Sequence, residues 1–289
     1  MDALNPADQA ELDRAYSARA PIGDKFEKVY LPGFTTFSQA ARKALPVRRD
    51  VAYGPHRDEV CDVFPAAKPG APLMLYLHGG YWRMLTKEEN SFVATALAPA
   101  GATVMVNTYS LCPDVHLDII VHQCRAFIAW AWKNAGFYNA DPNRIYISGH
   151  SAGGHLVGMM LTTDWARDYG LPADVIKGAV AISGLFDLKP LARAFTNEWL
   201  QIAPNAVARN SPVKLEPKAK CPVIVAVGGD ESPGFLSQSE IYTKHLKSHG
   251  VPVIEVPLPG DDHFSAWNAV MDAKRPLTKA VLKLMGLGA

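Results

Sequence analysis

Six short apolar runs, of four to eight residues each and separated by helix-length segments, constrain this chain most: Leu73–Leu77, Thr103–Thr108, Arg144–Ser148, Gly178–Ser183, Pro222–Val227 and Pro252–Val256. They are rich in Val, Ile, Leu and Ala and lack clean alternation, as expected of parallel strands buried on both faces. The intervening segments Thr86–Ala98, Asp114–Ala135, Ala152–Asp168 and Phe264–Met285 read as helices, the first opening on a Thr86-x-x-Glu89 capping pattern. A further helix is expected at Ala7–Ala18. Upstream, Arg48–Tyr53 and Glu59–Phe64 flank a Gly54-Pro55-His56-Arg57-Asp58 turn and predict a hairpin at the sheet edge. The fold class expected is α/β, a mostly parallel doubly wound sheet of about eight strands with helices on both faces. One domain, 1–289, accounts for the chain. Its irregular stretches 1–45 and 187–220 are expected to cover the carboxyl ends of the strands, where open α/β sheets bind ligands.

Charge and composition narrow the partners. Among 289 residues, 29 Lys and Arg face 28 Asp and Glu, a net charge of +1 that gives no field for nucleic acid or anionic membrane. No apolar run approaches the roughly 18 residues that span a bilayer. Asp2, Asp8, Glu11 and Asp13 do not suit a secretory signal, so a cytoplasmic location is expected. Cys61, Cys112, Cys124 and Cys221 form no C-x-x-C pair and read as reduced packing thiols. No metal-ligand cluster, Walker loop or dinucleotide fingerprint is present in the sequence. The partner expected is therefore a small molecule, with no cofactor or metal, and homodimerisation is left open.

The segment Arg144-Ile145-Tyr146-Ile147-Ser148-Gly149-His150-Ser151-Ala152-Gly153 contains G-x-S-x-G, which occurs by accident in roughly one such chain in ten. Here a strand enters it and a helix leaves it, the context of a nucleophile elbow with Ser151 at its tip and the Ala152 amide facing a developing oxyanion. His78-Gly79-Gly80-Tyr81-Trp82 follows an earlier strand, where an oxyanion loop belongs. The preferred donors are the amides of Gly80 and Tyr81, then Gly79, with His78 holding the loop. The expected acid is Asp230, just past the strand ending at Val227; Glu231 is its less favoured neighbour and Asp187 the main rival. The expected base is His263, before the last helix. The order Ser151, Asp230, His263 is that of α/β-hydrolases and differs from those of chymotrypsin and subtilisin. His150 and His155 lie too close to Ser151 to act as its base, although His155 could touch the site through a hydrogen bond.

These residues resemble those of the α/β-hydrolase arylformamidases, or kynurenine formamidases. H-G-G-x-W is matched by His78, Gly79, Gly80 and Trp82, and G-x-S-A-G by Gly149, Ser151, Ala152 and Gly153. Ser183-Gly184-Leu185-Phe186-Asp187-Leu188, Ala208-Arg209-Asn210-Ser211-Pro212 and Asp230-Glu231-Ser232-Pro233-Gly234-Phe235 extend the similarity. So does Leu12-Asp13-Arg14-Ala15-Tyr16-Ser17 near the start. The resemblance implies an α/β-hydrolase fold and a serine hydrolase that cleaves N-formylkynurenine in tryptophan breakdown, with its triad on Ser151, Asp230 and His263. The alternative is a carboxylesterase or other amidase acting on small acyl groups. An aromatic amine needs an apolar slot, and Tyr16, Tyr81, Trp82, Phe186 and Trp199 are the candidates to build it, at least two of them above Ser151.

Overall fold

The computed structural model describes residues 3–288; Met1, Asp2 and Ala289, within the span expected for the domain, lie outside the described residues. Strands that are apolar on both sides find enough burial only inside a sheet packed between helices, and all the apolar runs join one sheet. Its strands are β1 (Arg48–Ala52), β2 (Val60–Phe64), β3 (Ala71–Leu77), β4 (Thr103–Asn107), β5 (Ala140–His150), β6 (Ile176–Ile182), β7 (Val223–Gly228) and β8 (Val253–Leu258). They lie in the order β1-β2-β4-β3-β5-β6-β7-β8. β1 and β2 form the expected antiparallel hairpin, β2 runs antiparallel to β4, and every pair from β4 to β8 is parallel. Central β3 is buried at all seven positions. The register sets Leu77 beside Gly149, His150 beside Ile182 and Gly228 beside Leu258, so the strands end together along one rim of the sheet.

The helices depart from expectation where a distant group interrupts them. Thr86–Ala98 is not one helix but Lys87–Asn90, a 3-10 turn at Ser91–Val93, and Ala94–Leu97. Arg42 is responsible: its guanidinium donates to the carbonyls of Lys87 at 2.6 Å and Glu88 at 3.0 Å, and Ser91 Oγ donates to the Lys87 carbonyl at 2.9 Å. The Thr86 and Glu89 capping box is present. The helix after the elbow stops at Leu161, whose carbonyl accepts the amides of Lys218 and Ala219, and Asp164 caps a separate short helix at Trp165–Tyr169. The last segment divides into His263–Asn268 and Pro276–Leu284, because Pro276 can begin a helix but not continue one.

Two long helices, Leu31–Ala44 and Pro233–Ser248, and two short ones, Asn197–Leu200 and Pro204–Arg209, have no counterpart in the sequence reading. The Leu31-Pro32-Gly33 start of the first looks like a turn. Arg42 on that helix lies 2.7 Å from buried Asp62 of β2, and Lys87 is 3.1 Å from the same carboxylate. This cluster clamps the N-terminal segment to the sheet edge. No described helix is long and apolar enough to cross a membrane.

Candidate active site

Ser151 follows β5 directly and adopts φ 58° and ψ −119°, a strained conformation for a residue with a side chain, of the kind that costs roughly 1–3 kcal/mol and persists only when its surroundings enforce it. They do so here. The Ser151 amide donates to the Ile182 carbonyl at 2.8 Å, and the helix Ala152–Leu161 begins at once. Gly153 is needed because a Cβ there would lie 2.0 Å from the Leu77 carbonyl oxygen. The sharp turn sets Ser151 on the wall of a cavity that His263 also lines.

His263 begins its helix, with Asp262 accepting the Phe264 and Ser265 amides as cap. Its Nδ1–H donates to Glu231 Oε2 at 2.6 Å. Glu231 Oε1 accepts the Gly228 amide at 2.7 Å and the Ser183 hydroxyl, so both oxygens of this buried carboxylate are satisfied. The acid on His263 is therefore Glu231, which corrects the expected Asp230. The reason lies in the turn after β7: the Glu231 amide returns to the Gly228 carbonyl at 3.4 Å, which leaves Asp230 at the outer corner, exposed, and brings Glu231 back over the sheet. Asp187 is also buried, but its carboxylate accepts the amides of Lys189 and Ala3 and faces Lys214, so it ties segments together away from the imidazole.

The loop after β3 carries three consecutive left-handed residues, Gly80 (φ 104°), Tyr81 (φ 52°) and Trp82 (φ 55°). Only glycine fits at position 80, since a Cβ there would meet the Met84 carbonyl oxygen at 2.0 Å. The amides of Gly80, Tyr81 and Ala152 are not hydrogen-bonded to any other described residue, and Gly80 and Tyr81 line the cavity. Gly79 sits against the elbow, its missing Cβ 3.4 Å from Ser151 Cβ. His78 does hold the loop. Its Nδ1 is 2.8 Å from the Gly79 carbonyl, its ring stacks on Tyr109 at 3.8 Å, and burial pushes its pKa down to about 4.

The cavity has a volume of about 560 Å³. Of the five aromatics expected around it, Tyr81 and Trp199 are on its wall, joined by the Trp199 indole N–H donating to the Tyr81 carbonyl at 3.0 Å. The other three are elsewhere. Tyr16 is fully buried with its hydroxyl on the Leu4 carbonyl, Trp82 packs its edge against His155, and Phe186 stacks on Tyr242 at 3.7 Å. Phe26, Phe195, Phe264 and Trp267, which the sequence reading did not single out, complete the apolar wall. His155 is tied to the Asn210 carbonyl at 2.7 Å. His150 also lines the cavity; its Nε2–H donates to the His263 carbonyl at 2.8 Å and its ring lies parallel to Trp267. Burial, then the neighbouring His263, hold the His150 pKa well below the ordinary histidine value. All four cysteines are free, and no group of three or more potential metal ligands occurs among the described residues.

A strand-to-helix serine elbow, a histidine–carboxylate pair at the ends of β7 and β8, and a glycine loop after β3 define a class: the chain belongs to the α/β-hydrolase family, whose alpha/beta hydrolase fold model matches residues 74–266. Within it the protein is an arylformamidase-like hydrolase. It is similar to the kynurenine formamidases of Danio rerio and Salmo salar, each 34% identical over 288 residues that cover 96% of both chains. A thioesterase candidate from silicibacter sp. tm1040 has a crystal structure that superposes with a TM-score of 0.82, at 30% identity over 94% of this chain and 99% of that one. An esterase of Pyrobaculum calidifontis shares the fold with a TM-score of 0.71, at 21% identity over 91% and 94% of the two chains.

Proposed function

We propose that the protein hydrolyses N-formyl arylamides, with N-formylkynurenine as reference substrate, through an acyl-enzyme on Ser151. The observation that carries the chemistry is the relay of Gly228 and Ser183 on Glu231, and Glu231 on His263, at a cavity wall shared with Ser151. The identity to kynurenine formamidases along 96% of the chain supports the choice of acyl group and a role in tryptophan breakdown.

His263 has Nδ1–H committed to Glu231, so Nε2 is the nitrogen that takes the Ser151 proton as the hydroxyl attacks the formyl carbon. Glu231 fixes the tautomer and stabilises the imidazolium. The amides of Gly80, Tyr81 and Ala152 receive the oxyanion, which they can do without reorganising because no described acceptor occupies them. Imidazolium then protonates the aniline nitrogen, the amine departs, and water attacks the formyl-serine by the reverse transfers. The residues of 1–45 and 187–220 that reach the cavity, Ser17 to Arg19, Phe26, Phe195 and Trp199, form its cover and the slot for the aromatic amine.

Parallel rates on N-formylkynurenine and p-nitrophenyl acetate test this reading. Formamide hydrolysis with kcat/KM above about 10⁴ M⁻¹s⁻¹ is expected of a working enzyme. An ester rate in that range with no formamide turnover would establish a carboxylesterase instead.

A further inference from the structure

Two cationic side chains stand at the mouth of the cavity, and they differ in one respect. Arg19 lies over Phe26 and is paired with Glu27. Arg83 has its guanidinium carbon 4.5 Å from the centroid of the Trp199 ring and no carboxylate within ion-pair distance among the described residues. A guanidinium stacked on an aromatic face keeps its edge N–H groups directed outward in the plane, the arrangement that receives a carboxylate by two parallel hydrogen bonds. Trp199 is itself fixed by its indole bond to Tyr81, and Arg83 lies over that anchored ring on the wall of the same cavity. Glu198, the residue before Trp199, also lines the mouth and makes no ion pair with a described residue. The exposed part of the cavity wall, its rim, therefore carries one positive and one negative group, neither ion-paired to a described residue, beside the aromatic side chains of the slot.

We propose that this rim is a subsite for an α-amino-acid arm on the aromatic leaving group, with Arg83 binding the carboxylate and Glu198 the ammonium. The proposal rests on the arylformamidase reading and adds what selects among aryl substrates. A simple formanilide fills the aromatic slot but leaves both rim charges in water. N-formylkynurenine fills the slot and pairs them. Because the rim is exposed, its contribution is to binding and not to the chemical step, and it is worth about 10- to 100-fold in affinity, the range for a hydrogen bond to a charged group.

Arg83→Gln tests the assignment with matched substrates. The KM for N-formylkynurenine should rise about 10- to 100-fold with kcat little changed, while the KM for formanilide should move by less than about threefold, as expected when no charge is bound. Arg83→Lys should fall between, keeping the charge but losing the fork. Glu198→Gln should weaken N-formylkynurenine and favour its analogue lacking the amino group. Equal losses on formanilide and N-formylkynurenine, or no loss on either, would overturn the subsite. If wild-type protein cleaves neither formamide, the arylformamidase reading fails on its own, and O-acetyltyrosine against phenyl acetate poses the same question with esters. A KM increase for O-acetyltyrosine alone would then still support the rim, and equal behaviour of the two esters would refute it.

Discussion

Glu231 Oε2 lies 2.6 Å from Nδ1 of His263, while the adjacent Asp230 is exposed and contributes only its amide, to the Asp261 carbonyl at 3.0 Å. The pair divides two chemically similar acids into one that orients the imidazole and one that shapes a turn. Glu231→Gln should lower kcat by about 10⁴-fold, as loss of a triad carboxylate does, and Asp230→Asn should leave turnover near wild type. The reverse ranking in steady-state assays would return the role to Asp230.

Ser183 donates to the other oxygen of Glu231 from a left-handed position, φ 50°, at the end of β6. Ser183→Ala leaves the Gly228 amide as the sole remaining donor to Glu231 Oε1 among the described residues. A hydrogen bond to a charged group is worth about 1.5–3 kcal/mol, so kcat/KM should fall about 10-fold or more. Circular dichroism should show the fold retained; an unchanged kcat/KM would show that Ser183 is not needed to hold the carboxylate.

The parallel strands could be read from the sequence because each contains a short apolar run, the edge hairpin because Gly54 and Pro55 mark its turn, and the elbow because Gly149, Ser151 and Gly153 span the junction of a strand and a helix. What sequence could not give was set by partners far along the chain. The breaks in Thr86–Ala98 depend on Arg42, and the end of the elbow helix on the amides of Lys218 and Ala219. The choice between Asp230 and Glu231 depends on one turn closing at Gly228, which an Asp-Glu pair does not reveal. A second acid directly after the strand was the available signal. Tyr16, Trp82 and Phe186 were expected at the cavity because they lie in segments near the strand ends, yet each side chain turns into the core, where its larger apolar area is buried.

Acid should destabilise the protein well above the range of its carboxylates. Burial lowers the pKa values of His78 and His155 to about 4, from an unfolded value of about 6.5. Both are neutral when folded, so below pH 6.5 the unfolded chain binds more protons. Stability is complete above that pH and is lost as pH falls towards 4, on the order of 3 kcal/mol for each group. Asp118, lowered by Arg209, loses its contribution only at lower pH still. Urea midpoints between pH 7.5 and 4.5 should decline steadily, and less so in His155→Gln; a flat profile would contradict the linkage.

Asp62 is fully buried between Arg42 and Lys87. Asp62→Ala removes the fully buried partner of both cations and leaves Arg42 with Glu88 and Lys87 with Asp50 and Glu88, which are more exposed, so the cost should approach about 3 kcal/mol, the lower end of the penalty for breaking a buried ion pair. Chemical denaturation measures this directly; a loss below about 1 kcal/mol, typical of exposed pairs, would show that water reaches the cluster.

The most direct test compares wild-type protein and Ser151→Ala for hydrolysis of N-formylkynurenine to kynurenine and formate. The wild type should turn the substrate over, and the variant, folded to the same extent, should retain a rate lower by about 10⁴- to 10⁶-fold, the residue of binding and oxyanion stabilisation alone. Equal rates in the two proteins, or none in the wild type, would contradict a formamidase built on Ser151.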